Sequence, residues 1–480
     1  MPSFHMNGQS LSQSPAAEGQ ENPTSIRMSE IVSALSYALD LTEGQPMGHS
    51  VRTCVIGMRI GEKLGLGIED LSDLYYTLLL KDAGCSGNAS RLFHIIGADE
   101  IRAKRNVKFT DWTRVGWESL QYAIAHVGSD SPFLERMQKL FHVAANHQQN
   151  STDLVKIRCE RGASISRHLG FSEHVAAGIY SLGEHWSGRG YPENLQKTEI
   201  PIFSRIVSLS QTLDVYLTAR GPKAAIDAAR RHSGEWFDPE MVKAAISLAR
   251  NGVLWSGVDS DSLIDRVGEL EPEKRRMTAT EEAIDNICVA FAEVIDAKSP
   301  FTYRHSTGVA NTSGEIARWF GMSVKEQKML RRAALLHDIG ELSVPNAILE
   351  KPMKLNEEEW KVVKGHPYYT LQILKKIPGF ARLSEDAAAH HERLDGSGYW
   401  RGWRSDQLSR YARILAVADI FDALHAKRPY RDSMPIEKVF EILRQDAPHA
   451  LDLPCVEALI ASKTGAMPSA FREPAIMDTV

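Results

Sequence analysis

The feature that most restricts the fold of this chain is an internal repeat. The dipeptide HS at 49–50 recurs at 305–306, an offset of 305 − 49 = 256 residues. The segment LLKDAG at 79–84 recurs with the same offset as LLHDIG at 335–340. Only two copies fit, which excludes a long array of repeats and predicts two related domains in tandem.

The later parts of the two copies align with a smaller offset. Gly190 matches Gly398, with 398 − 190 = 208, and the motif around them is GRGY in the first copy and GSGY in the second. The first copy therefore has 256 − 208 = 48 additional residues between Asp82 and Glu184. We expect these residues to form an insertion around 90–150.

These matches also define the expected domain boundaries. The residues before 26 are rich in Ser, Gln, Gly and Pro, lack the apolar centre of a secretion signal, and are predicted to be a disordered tail. The charged segment between the copies is interpreted as a linker, partly helical. The expected divisions are a tail at 1–25, a first domain at 26–250, a linker at 251–278, a second domain at 279–465 and a tail at 466–480.

Hydrophobic periodicity predicts an all-α fold. Residues 279–295 carry apolar side chains at spacings of three and four residues, as expected for one face of a helix. These side chains are Ile284, Ile287, Cys288, Phe291 and Ile295. Similar periodicity occurs at 325–336, 368–377 and 409–425, whereas alternating strand patterns are scarce. We therefore expect two tandem helical bundle domains.

Composition excludes several classes of protein. The 480 residues include 56 Lys and Arg against 61 Asp and Glu, a net charge of −5, so no global positive field attracts duplex nucleic acid or anionic membrane. The apolar runs are much shorter than the roughly 20 residues that span a bilayer. The five cysteines form no CxxC pair, which favours reduced thiols and a cytoplasmic location.

Histidine and aspartate residues of the second copy lie on or at the ends of predicted helices. They are His305, His337, Asp338, His366, His390, His391 and Asp419. An isolated histidine is more often a surface or hydrogen-bonded residue, but imidazole and carboxylate together suit iron, manganese or zinc. Seven groups exceed the needs of one tetrahedral ion and suit two metal ions about 3.5–4 Å apart that share a carboxylate.

Buried aspartate supports this interpretation. In the apolar segment ILAVADIFDAL, a buried unpaired carboxylate would cost several kcal/mol of desolvation. Either Asp419 or Asp422 must therefore find a partner.

Four motifs of the second copy resemble the HD-GYP family. This family is the branch of the HD metal-dependent phosphohydrolases that hydrolyses cyclic dinucleotides in bacterial signalling. The motifs are HDIG at 337–340, HHERLDGSGYW at 390–400, VADIFDAL at 417–424 and RPYRDS at 428–433. The resemblance covers 279–445 closely and 30–230 more weakly.

The resemblance implies a role for each candidate residue. Asp338 matches the carboxylate that bridges two metal ions, iron or manganese. One ion would be bound by His305, His337 and Asp419, and the other by His366, His390 and His391. The catalytic pair would be His337 and Asp338, and the substrate would be held by Gly398, Tyr399, Arg428 and Arg431. Some family members take a third ion through a Glu where this chain has Phe301, so two ions are expected.

The implied reaction is hydrolysis of a cyclic dinucleotide to the linear dinucleotide and onward to GMP. Cyclic di-GMP is the first expectation and cyclic GMP-AMP the alternative, because no base-reading residue can be assigned. Two departures from the family pattern leave open a different class of function, that of a non-catalytic receptor or interaction module. Glu341 replaces the usual Lys of the first motif, and Trp400 replaces the usual Pro.

The first copy has lost most of this ligand set. At the matching positions it carries Lys81, Arg158, Leu182-Gly183 and Gln211, and only His49 and Asp82 persist. Because Lys and Arg repel divalent cations, this domain is predicted to be metal-free and catalytically silent. Its role is either a packing partner, which is favoured, or a nucleotide-binding regulator. A homodimer or a signalling-protein partner is also left open.

Overall fold

The described part of the chain is built from α-helices. The structure, a computed structural model, describes residues 26–111, 113, 116–129, 131–258, 263–302, 304–427 and 432–465. Within these ranges there are isolated β-bridges but no strand, so the all-α prediction is confirmed. None of the helices that are described is long and apolar enough to cross a membrane. The predicted tails lie outside the described residues.

The first module contains twelve α-helices in its described residues. They are α1 (Met28–Thr42), α2 (His49–Lys63), α3 (Ile68–Leu80), α4 (Ala89–Ile96), α5 (Glu100–Val107), α6 (Trp117–His126), α7 (Phe133–Ala145), α8 (His147–His168), α9 (Glu173–Tyr180), α10 (Ile202–Arg220), α11 (Pro222–Arg231) and α12 (Pro239–Arg250). A short 3₁₀ helix, Cys85–Asn88, follows α3, and another is Lys197–Glu199.

The second module follows helix α13 (Leu263–Glu269) and the 3₁₀ helix Glu273–Arg275. Its α-helices are α14 (Glu281–Asp296), α15 (His305–Trp319), α16 (Val324–Leu336), α17 (Asn346–Leu349), α18 (Glu357–Lys364), α19 (His366–Leu374), α20 (Ala381–Ala388), α21 (Arg410–His425), α22 (Ile436–Asp446) and α23 (Leu453–Thr464). Two 3₁₀ helices, Pro300–Thr302 and Ile339–Ser343, precede α15 and follow α16.

The helix boundaries reproduce both offsets of the repeat. Helices α2 and α15 both have 15 residues and begin 305 − 49 = 256 positions apart, as do α3 and α16, with 324 − 68 = 256. Helices α9 and α20 begin 381 − 173 = 208 positions apart, and α10 and α21 begin 410 − 202 = 208 apart. The tandem arrangement is therefore confirmed. Four helices, α4 to α7, occupy the region of the expected insertion.

Local sequence explains where two helices begin, α16, which precedes the HDIG motif, and α21, which carries Asp419. At α16 the hydroxyl of Ser323 accepts a hydrogen bond from the Glu326 N–H at 3.3 Å, and the Glu326 carboxylate accepts from the Ser323 N–H at 2.8 Å. This capping box satisfies two backbone donors that a helix start leaves free. At α21 the Ser409 hydroxyl accepts from Ala412 N–H at 3.1 Å.

The two modules share one continuous hydrophobic core. Helix α1 of the first module contacts α19 and the 3₁₀ helix Ile339–Ser343 of the second. At the start of α5, both carboxylate oxygens of Glu100 accept from the Asn346 N–H, at 2.9 and 3.0 Å. The Arg161 guanidinium donates to the Glu293 carbonyl oxygen at 2.7 Å. The first module therefore packs directly against the segment that follows the HDIG motif.

The segment 251–278, interpreted as a linker, is packed against the first module where it is described. Helix α13 contacts α1 and α2. Glu271 is buried, and its carboxylate accepts hydrogen bonds from the hydroxyls of Ser29 and Tyr76, both at 2.6 Å. The sequence indicated only a charged linker, and the structure shows that one of its acids serves a buried hydrogen-bond network.

Replacing Glu271 with Ala is expected to destabilise the protein. The change leaves the Tyr76 and Ser29 hydroxyls buried without their acceptor, at a cost of about 1–3 kcal/mol. The free energy of unfolding can be measured by denaturant titration followed by circular dichroism. Glu273→Ala is the control, because that side chain is 86% exposed. Equal stability of the two variants would contradict the structural role of Glu271.

Candidate metal centre

The predicted ligands of the second module come together at one point in the core. The ligand atoms of Asp338, His366, His390 and His391 lie within 4.8 Å of one another, and so do those of His305, His337 and Asp419. His305 and His366 begin α15 and α19, and Asp419 lies within α21. The other four directly or closely follow the ends of α16 and α20. Five helices thus supply the site, and each group matches one predicted set of ligands.

Asp338 lies between the two groups. Its Oδ2 is 3.0 Å from His337 Nε2 and 3.7 Å from His305 Nε2. Its Oδ1 is 3.2 Å from His390 Nε2 and 3.4 Å from His366 Nε2. The carboxylate therefore offers one oxygen to each side, as a bridging ligand must.

Asp419 completes the geometry on the other side of the centre. One of its oxygens is 3.1 Å from His305 Nε2, and the other is 3.6 Å from His391 Nδ1. Asp419 is 7% exposed, so burial penalises its charge, but hydrogen bonding and charge from His305 and His391 hold its pKa below the usual range. The carboxylate is ionised at neutral pH.

The imidazole rings are oriented by their second nitrogen atoms. In three of the histidines, Nδ1 lies within hydrogen-bond distance of the carbonyl oxygen three residues earlier. These contacts are His337 to Ala334 at 2.7 Å, His366 to Val363 at 2.8 Å and His390 to Ala387 at 2.6 Å. Because a carbonyl oxygen only accepts, Nδ1 carries the hydrogen and a neutral ring presents the lone pair of Nε2 to the centre.

This arrangement fits a metal site. The Nε2 atoms of His366 and His390 are 3.2 Å apart, so two neutral rings in this tautomer would face each other with lone pairs. His337 Nε2 and Asp338 Oδ1 are buried without a hydrogen-bond partner among the described residues. Cations satisfy converging lone pairs and carboxylates that no donor reaches. The donor set therefore fits the predicted metal ions.

Burial and charge set the protonation of the site. Burial lowers the pKa of His366 to about 4, which keeps that ring neutral. Burial also disfavours a charged His337, but the Asp338 carboxylate outweighs it and raises the pKa of His337 to about 9. The pKa of Asp338 itself stays far below its usual range, because His337 and His390 outweigh the effect of burial. The charge of Asp338 thus favours a positive charge beside His337 Nε2, which either a proton or a metal cation can supply.

Gly340 and Thr370 bring the HDIG motif against α19. A Cβ atom at Gly340 would clash with the carbonyl oxygen of His366. The Thr370 hydroxyl donates to the His337 carbonyl oxygen at 2.8 Å and accepts from the Gly340 N–H at 3.1 Å. This contact fixes the distance between the two histidines.

The GSGY turn folds back over the histidines. A Cβ at Gly398 would lie 2.6 Å from the His391 carbonyl oxygen, so the glycine permits a close approach to the chain itself. The buried Glu392 carboxylate accepts from the N–H groups of Arg401 at 2.8 Å and Trp403 at 2.9 Å. This places the Tyr399 ring 4.5 Å from the His391 ring. The turn forms one wall of the site.

Both departures from the family pattern lie beside this site. Glu341 is partly buried, and burial together with the charge of Asp338 raises its pKa to about 8. Trp400 has φ +95°, a left-handed conformation that costs a bulky residue about 1–3 kcal/mol. Its ring packs edge-on against Tyr368 and under the Arg401 guanidinium, at 5.8 and 4.3 Å. In this structure Trp400 therefore packs against protein side chains.

Some functional candidates were located by the sequence and others were not. Arg428 and Arg431 lie outside the described residues. Asp422 is the acceptor for His305 Nδ1 at 2.7 Å, and its position three residues after Asp419 was the available signal. Lys364, which nothing in the sequence distinguished, places its ammonium 5.7 Å from the Tyr399 ring centre.

The matching site of the first module contains ion pairs. Lys81 and Asp82 form a buried pair, and His49 Nδ1 lies 2.6 Å from the Asp214 carboxylate, which also accepts from Arg52. The pKa of His49 falls to about 4 through burial and the charge of Lys81. His49 and Asp82, the two ligand residues that the first module retains, are therefore each paired with another side chain.

Comparisons with known proteins agree on one family. The family model described as HD domain matches residues 119–241 and 290–453. The chain is 43% identical to the 3'3'-cGAMP-specific phosphodiesterase 3 of Vibrio cholerae serotype O1, over 90% of this chain and 94% of that protein. It is 32% identical to the cyclic di-GMP phosphodiesterase response regulator RpfG of Xanthomonas campestris pv. campestris, over 42% of this chain and 55% of that protein.

A solved structure covers nearly the whole chain. The crystal structure of the cyclic GMP-AMP-specific phosphodiesterase V-cGAP3 of V. cholerae matches with a TM-score of 0.65 and 39% identity. The match covers 93% of this chain and 100% of that one.

The Asp422→Asn substitution tests how the site is supported. The variant weakens the hydrogen bond that orients His305, and loss of such a partner lowers metal affinity by about 10- to 100-fold. Metal content after chelator competition, measured by mass spectrometry, reports the change. Asp406→Asn, at an exposed position of the same module, is the control. Unchanged metal retention in Asp422→Asn would contradict the assignment of His305 as a ligand.

Proposed function

The chain belongs to the HD domain family, and we propose that its second module hydrolyses 3'3'-cyclic GMP-AMP with the help of two divalent metal ions. The resemblance to the HD-GYP branch is confirmed by relatives that are cyclic dinucleotide phosphodiesterases. The chain is accordingly a metal-dependent phosphodiesterase acting on cyclic dinucleotides. The substrate within that class, the metal identity and the residue roles are our proposal.

The observation that carries the proposal is the convergence of imidazole lone pairs on a buried carboxylate. Asp338 would bridge the two ions. One would be held by His305, His337 and Asp419, and the other by His366, His390 and His391. A pair of divalent cations supplies Lewis acidity, which lowers the pKa of water and offsets charge on a phosphodiester. Nitrogen and carboxylate donors suit iron or manganese.

The protein's own residues bind and orient the substrate. The wall formed by the GSGY turn places Gly398 and Tyr399 beside the centre, where the Tyr399 ring can contact a nucleotide. Lys364 is exposed next to this ring and can attract a phosphate as a point charge. Arg428 and Arg431 remain proposed phosphate contacts by resemblance. A substrate with two phosphodiester groups is recognised by such local cations, since the whole chain is slightly acidic.

The comparisons favour cyclic GMP-AMP over cyclic di-GMP. The relative that is named cGAMP-specific matches 90% of this chain, including both modules. The relative named for cyclic di-GMP matches 42%. Cyclic dinucleotide hydrolysis was expected from the sequence, and within it the alternative substrate has the stronger support. The relatives described above give the receptor class no support, because they are named as phosphodiesterases.

Turnover assays on the purified protein test this substrate. With Mn²⁺ or Fe²⁺, we expect kcat/KM to be about tenfold or more higher for 3'3'-cyclic GMP-AMP than for cyclic di-GMP, since a site that hydrogen-bonds one base discriminates against another. Asp338→Asn should reduce turnover about a hundredfold or more, because both metal groups lose their shared ligand, and Asp406→Asn should not. Equal rates on the two substrates would contradict the specificity, and a metal-loaded but inert protein would contradict the function.

The effect of Glu341 can be tested separately. Glu341 places an acid beside Asp338 where the family has a cation, so it should weaken phosphate binding and lower activity without abolishing it. Glu341→Lys is expected to improve kcat/KM by about 3- to 10-fold through attraction of the phosphate. Glu341→Gln separates loss of the acid from gain of a cation, and Glu357→Lys controls for added charge at an exposed position. Unchanged KM and kcat in Glu341→Lys would refute the idea.

A further inference from the structure

The first module contains a cavity of about 210 Å³. Its lining includes Arg158, Leu182, Gly183 and Gln211. By the repeat offset, 158 + 208 = 366, 182 + 208 = 390, 183 + 208 = 391 and 211 + 208 = 419, which are positions of proposed metal ligands in the second module. The cavity therefore has the place in the first module that the metal centre has in the second.

The charges that line this cavity are mainly positive. Lys104, Lys108 and Arg158 contribute three cations, and Glu43 contributes one anion, a difference of 3 − 1 = 2. Glu43 is shared between Lys108 at 3.0 Å and Lys104 at 3.6 Å. Arg158 forms no close ion pair with a carboxylate in the part of the chain that the structure describes, although the charges of Glu43 and Asp82 act on it from a longer distance. The lining thus has an excess of positive charge that an anion can neutralise.

Side-chain cations stand here where the second module would hold metal ions. Lys81 takes the position of His337, although its charge is matched by Asp82, and Arg158 takes the position of His366. A guanidinium binds phosphate with two parallel hydrogen bonds but cannot ionise water as a metal does. Such a site can retain affinity for phosphate while having no means to hydrolyse it.

Aromatic residues form another part of the wall. Tyr122, Trp236 and Phe237 line the cavity, and the Trp236 ring is stacked with both His232 and His185, at 3.7 and 5.4 Å between ring centres. Aromatic faces stack on nucleobases without requiring a particular base. The volume is below the range of about 300–1,000 Å³ typical of pockets for drug-sized ligands, so a single nucleotide suits it better than a cyclic dinucleotide.

A metal ion is the competing occupant. Glu43, Asp82 and Cys85 have ligand atoms within 4.8 Å of one another. Both carboxylates already face lysine ammonium groups, and burial raises the pKa of the Cys85 thiol well above its usual value. Three neighbouring cations and a protonated thiol disfavour a divalent ion, so the anion is the better match.

Helix α5 joins the cavity to the second module. Its residues Lys104 and Val107 line the cavity, and Glu100 at its start accepts from the Asn346 N–H. Asn346 follows the 3₁₀ helix of the HDIG motif by three residues. A ligand in the cavity would therefore contact a helix that reaches the catalytic module.

We propose that the first module binds a phosphate monoester of nucleotide size in this cavity, with Arg158 as the principal phosphate contact and the aromatic wall beside the base. The site is separate from the catalytic centre, and the inference does not depend on which cyclic dinucleotide the second module hydrolyses.

Calorimetric titration of the full-length, metal-loaded protein with GMP, AMP and inorganic phosphate tests the proposal. A nucleotide should bind in a saturable way, and Arg158→Gln should weaken this binding at least about tenfold through loss of the bidentate contact. Lys156→Gln is the matched control, because it removes an exposed cation from the same helix. His391→Ala, in the catalytic module, should leave this nucleotide binding unchanged. Hydrogen exchange in 100–108 should slow when the ligand binds.

Thr212→Phe, which fills the cavity from α10, provides a second variant if Arg158→Gln does not fold. It should also abolish the binding event. Absence of nucleotide binding, or binding that is lost in His391→Ala and retained in Arg158→Gln, would overturn the proposal. Loss of phosphodiesterase activity alone would bear on the proposed function and not on this site.

Discussion

The second module depends on one electrostatic constraint, which is the burial of the Asp338 carboxylate among imidazole lone pairs. A buried carboxylate is costly unless it is paired, and here its neighbours are Nε2 atoms at 3.0 to 3.7 Å. Backbone carbonyls fix those rings from behind. Cations between the groups would resolve the conflict, and the fold keeps the groups together because each lies on or beside a helix that is buried in the shared core.

The two modules use the same scaffold with opposite electrostatics. The second brings lone pairs and carboxylates together and is therefore suited to cations. The first replaces two of them with Lys81 and Arg158 and adds Lys104 and Lys108 from its insertion. One chain thereby contains a centre suited to cations and a cavity suited to anions at equivalent places. The two modules keep the same helices but differ in the charges that these helices carry. The site of the second module therefore suits cations, and the cavity of the first suits anions.

Packing between the modules gives the first one a direct structural role. Helix α1 contacts the HDIG segment, α5 holds Asn346 through Glu100, and α13 is tied to the first module beside Glu271. The favoured interpretation of the first domain as a packing partner is consistent with these contacts. A ligand-binding role is compatible with it, because the helix that lines the cavity is also one that makes the contact.

The sequence by itself determined the helical class and the repeat with both offsets, and it predicted the seven His and Asp residues that the structure brings together, because helix periodicity and ligand chemistry are local properties of the chain. It could not assign Asp422 to His305, since their separation of 117 positions is closed only by the packing of α15 against α21. It placed Glu271 within a charged linker but could not assign it a partner, because the sequence does not show which distant residue, here Tyr76, comes to meet it. Tertiary structure alone decided the direction of each imidazole, the contact of α5 with the catalytic module and the excess charge of the cavity, because these depend on which distant helices become neighbours.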